Sequence, residues 1–103
     1  MKRIDFTIYG STDHVTTVKG WLLPDPVRGL QLVAHHSFPS YRQRGKWTVT
    51  EQSITAAVSW GNTRNEAIEN ARRLLNEKTP EQIERALCHY RSILAAVHSP
   101  AAA

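Results

Sequence analysis

One cysteine, Cys88, stands in a chain of 103 residues, so no disulfide can form within it. A lone thiol suits a reducing compartment, and the cytoplasm is the expected location. No apolar run reaches the roughly 18 residues that a membrane-spanning helix needs. The opening MKRIDFTIYG is basic, but Asp5 interrupts its apolar residues and no small-residue cleavage site follows. It is therefore not expected to act as a secretory signal. Catalytic signatures are missing too: there is no Gly-x-Ser-x-Gly, no phosphate-binding Walker loop and no Cys–His pair in a recognisable frame. Cys88 falls inside a helical pattern between Leu87 and His89 and is expected at a core boundary, not as a nucleophile. The expectation is a protein that is not an enzyme and carries no cofactor. Acidic side chains are absent from Pro26 to Thr50, a stretch that holds Arg28, Arg42, Arg44 and Lys46.

What is present points to a soluble globular chain. Hydrophobic residues make up 41% and charged residues 21%, a balance that supports one modest core and argues against disorder. The formal net charge is +4. Residues 1–60 contain seven Lys or Arg against four acids, whereas the remainder is nearly balanced. The positive field belongs to the first part, and it favours anionic partners.

Hydrophobic period divides the chain at Gly61. RIDFTIY alternates, with Ile4, Phe6 and Ile8 on one side. HVTTVKGWLL, GLQLVAHH, KWTVTE and ITAAVSW read as further short strands, separated by the turn-forming GSTD, PDPVRG and FPSYRQRG. After Gly61, Ala67, Ile68, Ala71, Leu74 and Leu75 recur at helical spacing. Thr63 and Glu66 form a capping box, in which the hydroxyl accepts from the Glu66 N–H and the carboxylate reaches back to the Thr63 N–H. Thr79, Pro80 and Gln82 start a second helix, whose stripe is Ile83, Ala86, Leu87, Tyr90, Leu94 and Val97. The spacing predicts helices over 64–77 and 80–97. The expected fold class is α+β: an antiparallel sheet of four to five strands followed by two C-terminal helices packed on one face. Residues 1–98 are expected to form a single domain and 99–103 a disordered tail.

The stretch WTVTEQSITAAVSWGNTRNEAIENARRLL resembles small uncharacterised proteins of bacteriophages and prophages. Its strand–turn–helix, around residues 47–75, is similar to that of HicB-type antitoxins. The resemblance implies an accessory protein that works by binding a protein partner, for example as an inhibitor, in the bacterial cytoplasm. The chain runs on into another long helix where such antitoxins often carry a separate DNA-binding segment.

The candidate site lies in HHSFPSYRQRGKW. His35 and His36 are strand neighbours and point to opposite faces, which makes a shared metal ion unfavourable. A zinc site wants three or four ligands, and His14, Cys88, His89 and His98 stand at no ligand spacing from this pair. No metal is expected. Tyr41, Arg42, Arg44 and Lys46, with His36 beside them, join cations to an aromatic ring on a loop broken by Pro39 and Gly45. That mixture suits an acidic protein surface or a protein–nucleic-acid complex, since Tyr and Arg anchor interfaces well. It also suits direct, low-specificity binding of nucleic acid. A homodimer through a sheet edge or the second helix is the third reading. Trp47 shares strand phase with Val49 and is expected in the core.

Overall fold

Each period-two segment becomes a strand, and each capped period-3.6 segment becomes a helix. The structure, a computed structural model, describes residues 1–9, 15–39 and 42–98. Strand β1 is Lys2–Tyr9, β2 Val15–Leu22, β3 Leu32–His36, β4 Trp47–Glu51 and β5 Ala57–Gly61. Helix α1 is Arg64–Asn76 and α2 is Pro80–His98. The strands form one antiparallel sheet in the order β1-β2-β3-β4-β5. The architecture is α+β, with the two helices following the sheet as expected. The expected tail, residues 99–103, and Tyr41 lie outside the described residues.

Helix α1 covers one sheet face. Leu32 and Ala34 of β3 and Val49 of β4 pack against Ala67, Ile68, Ala71 and Leu75. Two polar links fix the helix to β5: the Ser59 hydroxyl donates to the Ala67 carbonyl at 2.7 Å, and the Asn70 amide donates to the Trp60 carbonyl at 2.8 Å. Gly61 allows this closeness, because a Cβ there would meet the Ala67 backbone nitrogen at 2.5 Å. The Thr63 hydroxyl accepts from the Glu66 N–H at 3.1 Å. The Glu66 carboxylate returns to the Asn62 N–H at 3.3 Å, one residue earlier than the expected Thr63 N–H. At the far end of α1, the Arg28 guanidinium donates to the Leu75 and Lys78 carbonyls. The first cation of the acid-free stretch is thus a helix C-cap, with positive-φ Arg28 aimed there by the tight Val27–Leu30 turn.

The opposite face is buried as well, which the alternation in GLQLVAHH does not announce. Val33 and His35 point there, yet both are fully buried. The β1–β2 hairpin covers them. Strand β2 pairs with β3 only at Trp21 and Leu22. At Gly20 a Cβ would meet the Val33 side chain at 2.5 Å, the Ala34 carbonyl at 3.0 Å and Phe6 at 3.2 Å. The ring of Phe6 packs 5.6 Å from that of His35. Ile4, Phe6 and Ile8 therefore serve the face away from the helices.

Helix α2 starts with a complete capping box: Gln82 N–H donates to the Thr79 hydroxyl at 3.1 Å, and Thr79 N–H donates to the Gln82 amide oxygen at 2.9 Å. Among the described residues, it packs on the core cluster through half-buried Ile83 and Leu87. Tyr90, expected in the packing stripe, is 40% exposed, and Leu94 is half-buried outside the core cluster. Cys88 is exposed, not at the core boundary, with its thiol 3.7 Å from the Glu84 carboxylate. No helix among the described residues is long and apolar enough to cross a membrane.

Candidate functional site: a basic and aromatic end of the sheet

The register brings two adjoining rows of side chains together at one end of the sheet. Arg3 pairs with Trp21, Trp21 with Ala34, His36 with Trp47, and Trp47 with Gly61. Three residues beyond Gly61, α1 begins at Arg64. Strand alternation places Arg3, Trp21, His36 and Trp47 on the helix side of the sheet. Their rings meet there: the His36 and Trp47 centroids are 4.1 Å apart, those of Trp21 and Trp47 5.4 Å, and those of Trp21 and His36 6.4 Å. The guanidinium carbons of Arg3 and Arg64 lie 5.4 and 5.5 Å from the Trp21 ring centroid. A cation over an indole face is attracted by the ring quadrupole. His36 and Arg3 are exposed, and Trp21, Trp47 and Arg64 are half-buried.

The loop between β3 and β4 leaves from the same end. Its closure is backbone-driven, with Ser37 N–H donating to the Lys46 carbonyl at 2.9 Å. Arg42, Arg44 and Lys46 are exposed, as expected. Arg44 rests over Trp60 at 4.7 Å, on the face opposite Trp47. Phe38 tucks inward, half-buried, 5.7 Å from the His35 ring. Trp47, expected in the core, is half-buried: it packs against the core cluster and also against His36.

The two histidines take opposite faces and different roles. His35 is enclosed by Phe6, Phe38 and β4. Its Nδ1 lies 2.8 Å from the His36 carbonyl, which can only accept, so Nδ1 carries the hydrogen. Its Nε2, 2.8 Å from Thr50 Oγ1, then accepts from that hydroxyl. Burial pushes the His35 pKa below its ordinary value, against the pull of the carbonyl hydrogen bond, and the nearby His36 adds to the lowering. Neutral His35 is a satisfied core residue. Beside it, Thr48 and Ser37 share a 2.7 Å hydrogen bond that fastens the loop base.

The remaining polar groups are structural. The buried Glu51 carboxylate accepts from the Ser53 hydroxyl and the Ile54 N–H, which shapes the β4–β5 turn. Glu69 pairs with Arg72 at 3.0 Å, and Arg73 donates to Asn70. Among the described residues, no three His, Cys, Asp or Glu side chains are placed to hold a metal ion. The charged groups of the Arg3, Arg42, Arg44, Lys46 and Arg64 side chains have no carboxylate or hydrogen-bond partner among the described residues, in contrast to those of Arg28, Arg72 and Arg73. No protein-family model, curated protein or solved structure matches this chain.

Arg3, Trp21 and Arg64 are the site residues that reading along the sequence missed. Arg3 and Trp21 lie on strands read only for their apolar faces, and Arg64 sits inside a capping sequence. The available signal was the pairing of KRIDFTIY with VTTVKGWL in a hairpin, which sets Arg3 opposite Trp21.

Proposed function

We propose that the protein is a non-enzymatic binding module that engages an acidic protein surface, alone or in a protein–nucleic-acid assembly, through this end of the sheet. The observation that carries the reading is the exposed set Arg42, Arg44 and Lys46, beside His36, without internal anionic partners among the described residues. Exposed cations that the fold does not use are available to a partner. The resemblance to small phage and prophage proteins supports a role as an accessory factor, for example an inhibitor, in the bacterial cytoplasm. A second reading, direct binding of nucleic acid at low sequence specificity, is favoured by the Arg–Trp contacts at the same end. Capture of a host protein by the immobilised chain, with and without nuclease, tests the choice. Nuclease-resistant capture that Arg42→Ala, Arg44→Ala, Lys46→Ala abolishes supports the first reading; capture lost to nuclease moves it to the second.

A further inference from the structure

We infer that Arg3, Arg64 and His36 form a seat for single-stranded nucleic acid, the guanidinium groups holding the phosphodiester and the imidazole carrying a base. The inference deepens the second reading above, direct binding of nucleic acid, and rests on it. Arg3 and Arg64 converge on one ring, Trp21, from two strands of sequence far apart. Stacking orients a planar guanidinium without consuming its N–H groups. Among the described residues, no carboxylate or carbonyl engages either of them. Two oriented forks with unused donors match a phosphate oxygen pair.

The ring beside them is placed for stacking. The two arginines occupy Trp21, whereas His36 is exposed and lies on Trp47 at 4.1 Å. Trp47 lies against the imidazole at an interplanar angle of 37°, and the exposed ring of His36 offers aromatic surface to a base. The rings of His36 and Trp21 are 6.4 Å apart. A nucleotide whose base lies on His36 thus brings its phosphate toward Arg3 and Arg64. Duplex bases are already stacked and cannot use such a platform, so the geometry selects an unpaired strand. Asp5 is the nearest acid on the same face of β1, and it stands opposite Lys19.

The test uses the full chain and a labelled oligodeoxythymidylate of about 12 nucleotides, within the span one small domain covers. Anisotropy titrations compare it with a duplex of equal length. The single strand is expected to bind more tightly. His36→Ala should weaken it by about tenfold, while His36→Phe, which keeps a ring, holds affinity. Arg64→Ala and Arg3→Ala should each reduce the salt slope by about 0.7, the value of one phosphate contact on a single strand. Thermal melts of each variant check that the fold persists. Equal affinity for the duplex, or equal binding by His36→Ala and the parent, overturns the inference. If the parent binds no oligonucleotide but still captures a protein through Arg42, Arg44 and Lys46, the seat is refuted while the broader binding role stands.

Discussion

His35 is the residue whose chemistry is most dependent on its surroundings. Its neutral form accepts from Thr50 and donates to a carbonyl; a second ring proton would remove the acceptor and place a charge between Phe6 and Phe38. Because burial lowers its pKa in the folded state, the unfolded chain binds the proton more readily below the ordinary value of 6.5. The unfolded state then holds more protons, so stability rises with pH in that window. His35 therefore contributes full stability above that value, and the contribution is lost as pH falls through the folded-state pKa. Urea melts across this range should show the decline, and His35→Gln should flatten it while lowering stability throughout. An unchanged pH slope in the variant would assign the acid sensitivity elsewhere. Gly20 is the other residue set by its neighbours. Gly20→Ala drives a methyl into Val33 and should cost about 1–3 kcal/mol in the same melts, since overpacking forces side chains off their rotamers.

The two helices share a capping design but are held differently. Thr63 caps a helix whose Ala67, Ala71 and Leu75 are buried against the sheet, so Thr63→Ala should lower global stability by about 0.5–2 kcal/mol. Among the described residues, helix α2 packs on the core cluster through Ile83 and Leu87, beside a groove of about 270 Å³ lined by Ile54, Ala57, Val58 and Leu74. Leu75→Ala removes a side chain that is only 6% exposed and packed in the core, and should cost about 2–5 kcal/mol. Leu87→Ala only widens a groove already open to water, and should cost less than about 2 kcal/mol. Denaturant melts of the pair check the ranking; a larger loss at Leu87 would place α2 deeper in the core than its contacts do. Amide exchange should likewise be faster in the second half of α2 than in α1, because few buried contacts protect it.

Over the whole molecule, stability and charge are separated in space. The core lies between α1, the sheet and the β1–β2 hairpin, while Arg3, Arg42, Arg44, Lys46 and Arg64 gather at one end. Arg42→Ala, Arg44→Ala, Lys46→Ala should leave the melting midpoint nearly unchanged, since exposed charges contribute little to folding. Partner capture should fall, and any nucleic-acid affinity should depend less steeply on salt. Retained capture by a folded triple variant would shift the working surface to Arg3, Trp21 and Arg64 or to the open side of α2.

Period and capping are local properties, and the sequence by itself determined what depends on them: strands before Gly61, two helices after it, Thr63 and Thr79 as caps, and exposure of Arg42, Arg44 and Lys46 between loop breakers. The opposed faces of His35 and His36 follow from strand geometry in the same way. Tertiary structure decided everything that needs a partner from elsewhere in the chain. Val33 and His35 are buried because the β1–β2 hairpin packs on them around Gly20 and Phe6, and the Arg28 guanidinium is taken up by carbonyls because the end of α1 arrives beside it. Arg3, Trp21, His36, Trp47 and Arg64 become one cluster only through strand register. Side chains from separate segments meet through long-range pairing, and no local pattern in any one segment specifies that meeting.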